Sequence, residues 1–105
     1  MKYEIPNQPN FYSSFVSPTK TEIKKLLEQN GWKIRKQSLD DFECSNDWAE
    51  LNLVAYRTYT LLNGSIANPN KNFNILLDIF KAINCKFQME LYDENQNIVL
   101  ENKNY

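Results

Sequence analysis

The 105-residue chain contains no histidine, and that absence removes more chemistry than any other feature of its composition. Histidine supplies the usual general base near neutral pH, the commonest metal ligand and the partner of most serine and cysteine nucleophiles, so those arrangements are excluded. Cysteine is nearly absent: Cys44 and Cys85 both fall at inward positions of predicted strands. Buried free thiols are the simplest reading and an inter-strand bridge the alternative, with nothing else pointing to an oxidising compartment. No apolar run exceeds four residues, and Met1-Lys2-Tyr3-Glu4-Ile5-Pro6 lacks the apolar stretch of a signal peptide. A cytoplasmic protein with no membrane association is the expectation. A large net charge is also missing, the balance being −1, so neither nucleic acid nor anionic membrane is favoured as a partner. Fifteen asparagines stand against two glycines, a bias that reads as genomic composition rather than mechanism.

What is present suffices for one domain. Hydrophobic residues make up 42% of the chain and include six Phe, six Tyr and two Trp. A chain of this length buries roughly two-thirds of its unfolded surface, so it needs no metal or disulfide to fold. Charge is segregated along it: residues 18–36 carry +4, residues 37–56 carry −5, residues 57–89 carry +3 and residues 90–105 carry −3.

The element pattern predicts a single α+β domain over residues 1–105. Residues 1–17, with Pro6, Pro9, Phe11, Tyr12 and Phe15, show no sustained period and read as an extended N-terminal strap. Ser17-Pro18 reads as a helix N-cap and first position, and Ile23, Leu26 and Leu27 mark the inner stripe of a helix over 18–30 that stops at Asn30-Gly31. Period-two alternation predicts strands at 32–36, 41–45 and 49–56, with Ser45-Asn46-Asp47-Trp48 as a turn, and a further strand at 58–62 ends at the Asn63-Gly64 turn signal. Pro69 opens a second helix to about Ile83, with Phe73, Leu76, Leu77, Phe80 and Ile83 as its stripe. Cys85 to Tyr92 is the cleanest alternation in the chain and pairs, through Asp93 to Gln96, with a strand at 97–101. The order α-β-β-β-β-α-β-β describes an antiparallel five- to six-stranded sheet with two helices packed on one face and the other face open to water.

The segment Asp40 to Tyr56 carries five carboxylates and no Lys or Arg. If Cys44 pairs with Ala49, Glu43 stands opposite Glu50 on the wet face, a like-charge pair that disfavours the sheet by roughly 0.2–1 kcal/mol. Arg35 beside Glu43 would neutralise it; otherwise the pair is available to a basic partner. An open sheet offers no pocket to raise a carboxyl pKa, so these two acids do not form a glycosidase pair, and Asp40, Asp41 and Asp47 lack calcium-loop spacing. Lys24, Lys25, Trp32, Lys33, Arg35 and Lys36 read as a solvated face balancing the acidic strands rather than a phosphate-binding surface. Trp48 is either a cap on the core or an interface anchor. No enzyme, cofactor or metal site is expected.

Four stretches carry a resemblance: Glu28-Gln29-Asn30-Gly31-Trp32, Phe42-Glu43-Cys44 followed by Trp48-Ala49-Glu50-Leu51, Leu61-Leu62-Asn63-Gly64, and Glu90-Leu91-Tyr92-Asp93. Their layout resembles the small bacterial immunity proteins that neutralise toxins of polymorphic and contact-dependent growth inhibition systems. That resemblance implies a non-enzymatic protein that binds and blocks a cognate protein toxin. Many such toxins are nucleases with basic surfaces, which the acidic segment would complement. The expected contacts are Asp41, Glu43, Asp47, Trp48, Glu50, Glu90 and Tyr92; a homodimeric regulatory or structural interaction domain is the alternative.

Overall fold

A computed structural model describes residues 4–104. Seven strands and two helices follow one another as β1 (Phe11–Ser17), α1 (Lys20–Gln29), β2 (Lys33–Lys36), β3 (Phe42–Asn46), β4 (Ala49–Tyr56), β5 (Tyr59–Ile66), α2 (Pro69–Lys81), β6 (Lys86–Tyr92) and β7 (Ile98–Asn104). The strands form one antiparallel sheet in the order β2-β3-β4-β5-β1-β6-β7. The α+β class and the antiparallel sheet are as expected, with one strand more than expected and in a decisive place.

That strand is β1. The stretch read as a strap holds the central seam of the sheet, pairing with β5 on one side and β6 on the other. Phe11, Ser13 and Phe15 face inward while Tyr12, Ser14 and Val16 face out. The alternation is hidden in the sequence because its middle inward residue is polar. Ser13 is buried because its hydroxyl donates to the Leu62 carbonyl at 2.5 Å, which supplies the partner that burial demands. Residues 1–3 of the expected strap lie outside the described residues. Next to β1, Asn10 acts as a surrogate strand residue: its amide nitrogen donates to the Ile66 carbonyl and its amide oxygen accepts the Ile66 N–H. Asparagines at 30, 46, 63, 72, 74 and 104 likewise bond backbone groups, so the asparagine excess has structural uses beyond genomic bias.

Both helices send their buried stripes, Ile23 and Leu27 from α1 and Phe73, Leu76 and Phe80 from α2, into the core formed by the inward strand residues. Helix α1 starts later than Ser17-Pro18 suggests. Thr19 is its N-cap, accepting the Glu22 N–H while Glu22 accepts the Thr19 N–H, a reciprocal capping box, and Ser17 belongs to β1. Gly31, at φ +86°, ends it in the left-handed conformation that glycine adopts without strain. Helix α2 ends at Lys81, so Ile83 leaves the expected stripe and lies exposed.

Two hairpins differ from the predicted ones. Asn46 is the last residue of β3, and its side-chain oxygen accepts the Trp48 N–H at 2.9 Å, which tightens the reversal to Asp47-Trp48. Cys44 therefore pairs with Leu51 rather than Ala49. Between β4 and β5 the turn is Arg57-Thr58, with Arg57 at φ +56°, and β5 runs straight through Asn63-Gly64. Gly64 serves close approach, not reversal: a Cβ there would collide with the Glu50 carbonyl oxygen and lie 2.9 Å from Leu51 Cα.

Cys44 and Cys85 are free and buried. Four inter-strand steps separate β3 from β6, roughly 19 Å at about 4.8 Å per step, which rules out a bridge. Burial, then the Glu28 and Glu43 carboxylates, push the Cys44 thiol up to about 12, and burial with Glu22 pushes Cys85 up to about 11. Both raised values favour the protonated folded state. Their stabilisation is complete below the unfolded value of 9.0 and is lost as pH rises through the folded values. Urea unfolding between pH 9 and 11 should show wild-type stability falling more steeply than that of Cys44→Ala, by about 1.4 kcal/mol per pH unit. Parallel slopes would show that the thiol does not control the transition.

Candidate functional site

Both helices send their stripes into the core cluster, and among the described residues no helix or strand lies over the opposite face of the sheet. Strand register orders its outward side chains into rows running across the sheet. One end row is Tyr56 on β4, Tyr59 on β5 and Val16 on β1; Tyr56 and Tyr59 are direct partners. These are among the most exposed large apolar side chains of the protein, at 55%, 46% and 50%. Arg57 in the turn stacks its guanidinium over the Tyr56 ring at 5.5 Å. The next row holds Val54, Leu61, Ser14, Gln88 and Lys103, and the third Arg35, Glu43, Asn52, Asn63, Tyr12, Glu90 and Glu101. Tyr12, Ser14, Leu61, Asn63, Gln88 and Glu90 line a shallow concavity of about 240 Å³ at the middle of the face.

The expected acidic residues divide between two corners. Glu43 and Glu50 do share the wet face, because the register differs from the predicted one by two positions and side chains alternate with a period of two. They are diagonal rather than opposite: Glu43 faces Asn52, while Glu50 faces Ser45 and Ser65. Ile34 pairs with Cys44 and Arg35 with Glu43, and the Arg35 guanidinium bonds the Glu43 carboxylate at 2.9 Å. Glu43 is therefore neutralised within the chain, leaving Glu50 as the available acid of that pair. Asp47 is exposed in the β3–β4 turn. Asp41 lies just before β3, where its carbonyl accepts the Gln37 N–H at 2.9 Å and closes the preceding loop. Trp48 packs edge-to-face on Trp32 with ring centres 5.2 Å apart, and its carbonyl accepts the Ala67 N–H. It caps the core rather than standing free as an anchor.

At the opposite corner Glu90 faces Tyr12 on one side and Glu101 on the other. The Tyr92 hydroxyl donates to Glu90 at 3.2 Å, and the Tyr12 and Tyr92 rings meet edge-to-face at 5.0 Å. Desolvation, followed by the charge of Glu90 and its hydrogen bond, raises the Tyr92 hydroxyl above its ordinary value and keeps it a donor. Four strand steps separate Glu43 from Glu90, roughly 19 Å at about 4.8 Å each, so the acids form two flanks instead of one patch.

Sequence reasoning reached Glu50, Glu90 and Tyr92 through alternation but missed Tyr12, Val16, Tyr56, Tyr59, Leu61 and Glu101. Recognising β1 would have supplied Tyr12 and Val16, and placing the turn at Arg57-Thr58 would have paired Tyr56 with Tyr59. Among the described residues no helix is long and apolar enough to cross a membrane. Comparisons with models of protein families, with curated proteins and with solved structures returned no match.

Proposed function

We propose that this chain is a non-enzymatic binding protein of the immunity type, which neutralises a cognate toxin by covering a basic surface with its open sheet face. The observation that carries this reading is the row Tyr56, Tyr59 and Val16, backed by Val54 and Leu61, standing exposed on a face that no helix or strand of the described residues covers. Tyrosines bring large contact area with little rotamer entropy to lose and are enriched at interfaces. Asn52, Asn63 and Gln88 add amide groups beside them, and Glu50 and Glu90 give the flanks a negative sign. Aromatic contact area beside charged flanks divides affinity from partner choice. The concavity on the face is shallow and lacks an enclosed acid–base pair, which favours protein docking over turnover.

The test is to identify the gene adjoining this one and, where it encodes a large secreted protein, to titrate the chain into that protein's C-terminal domain; a neighbour of any other kind would count against the reading. Tight binding that protects cells from that domain is expected. A Glu50→Lys, Glu90→Lys double variant should bind more than about 100-fold more weakly, while its thermal unfolding stays within a few degrees of wild type. Unchanged affinity with lowered stability would reduce the carboxylates to a structural role and overturn the reading.

A further inference from the structure

The two edges of the sheet are built differently. Edge strand β2 has four residues, and three of them, Lys33, Arg35 and Lys36, are cations. A second copy approaching that edge would meet like charge, a common way of blocking strand addition. Edge strand β7 has seven residues and carries Ile98 and Val99 half-exposed at its start. It ends in a short alternating pattern, with Glu101 and Lys103 outward and Leu100, Asn102 and Asn104 toward the core side.

That pattern is its own complement. In antiparallel pairing about a two-fold axis at Asn102, Glu101 faces Lys103 of the second copy, Lys103 faces its Glu101, and Leu100 faces its Asn104. Registers centred on Glu101 or on Lys103, the nearest ones that keep the helices of both copies on one side, stack like charges instead. Glu101 needs such a partner. Within the chain it stands opposite Glu90, a like-charge pair, and its present cation is Lys103 two residues along the same strand at 3.5 Å. An exposed pair of that kind contributes little, so exchanging it across an axis loses little.

A second observation concerns the residue on the axis. Among the described residues, Asn102 Oδ1 is buried with no hydrogen-bond partner. Buried polar atoms are rarely left so. A two-fold at Asn102 sets two primary amides at cross-strand distance, about 4.5–5.5 Å between Cβ atoms. Rotation about χ2, a soft torsion in asparagine, then lets each amide donate to the other.

We infer that β7 is the seam of a homodimer, two copies joining Leu100–Asn104 antiparallel about Asn102 into one continuous fourteen-strand sheet. A single two-fold closes the assembly, and the cationic β2 edges at its ends prevent further growth. The seam follows the edge of β7 and takes only Glu101 and Lys103 from the rim of the open face, and its test reads self-association alone, so its failure and that of the proposed function are distinguishable.

Sedimentation of the full chain across the micromolar range should show a concentration-dependent dimer. Glu101→Lys gives a seam of lysines and Lys103→Glu a seam of glutamates, and each variant alone should self-associate roughly tenfold more weakly or less. Mixed together they should recover the dimer, because every facing pair is again unlike; this recovery also shows that both variants fold. A wild type that sediments as a monomer throughout that range would overturn the seam. So would variants that dimerise alone as wild type does, which would place the contact elsewhere, and so would a mixture that fails to recover the dimer.

Discussion

Phe15→Ala is expected to destabilise the protein by about 4 kcal/mol, a large share of the 5–15 kcal/mol that holds a domain of this size together. The ring is fully buried at the centre of the sheet, 4.7 Å from the Phe80 ring and 5.5 Å from the Phe87 ring, bridging the inward face of β6 to α2. Truncation removes the transfer free energy of the ring and leaves a cavity that neither a central strand nor the helix above it can close. The next residue provides the internal control. Val16 points to solvent, and Val16→Ala should change stability by less than about 0.5 kcal/mol. Denaturant unfolding of the two variants side by side separates a central strand from a surface strap, because a strap would lose at most about 1 kcal/mol at either position. Equal small effects would remove β1 from the middle of the sheet.

Gly64→Ala should cost about 3 kcal/mol although it adds a single methyl group. Most glycine substitutions in strands are tolerated or helpful, since they stiffen the unfolded chain. Here the added carbon meets backbone on β4, the Glu50 carbonyl oxygen and Leu51 Cα, and backbone within a paired strand cannot swing aside as a long side chain would. The same residue pairs with Phe11 of β1, and its carbonyl accepts the Asn10 N–H at 3.0 Å, so a shift of β5 would disturb the junction with the N-terminal strand as well. Urea midpoints that agree within error between wild type and Gly64→Ala would show that β4 and β5 are not so close. Because Glu50 and Ser65 are partners in the same register, a variant that separates these strands should also weaken any complex formed through Glu50.

The outcome bears on how the acidic residues are understood. With Glu43 held by Arg35 and Trp48 packed on Trp32, two of the expected contacts stabilise the chain itself. The weight of the proposed binding face shifts to the aromatic row at the β4–β5 turn and to the tyrosine–carboxylate corner formed by β1, β6 and β7.

How much of this was legible in the sequence depended on the range of the signal. Alternation in Lys86 to Tyr92, the helical stripe Phe73-Leu76-Phe80 and the outward placement of Glu50, Glu90 and Tyr92 are local periodicities, and a linear chain displays them directly. They sufficed for the α+β class, both helices and six of the seven strands. The pairing of Arg35 with Glu43 was legible as well, since the short connection between β2 and β3 leaves few registers that keep Ile34 and Cys44 on the dry side. The insertion of β1 between β5 and β6 was not, because its partners lie tens of residues away and its buried Ser13 is acceptable only through a hydroxyl contact with Leu62. Nor was the role of Gly64, which reads as a turn residue until the strand beside it is in place. Local sequence determined which face of each element is dry, since that follows from side-chain periodicity alone. Only the tertiary structure decided which wet side chains are neighbours, since strand order and register arise from packing contacts between segments distant along the chain.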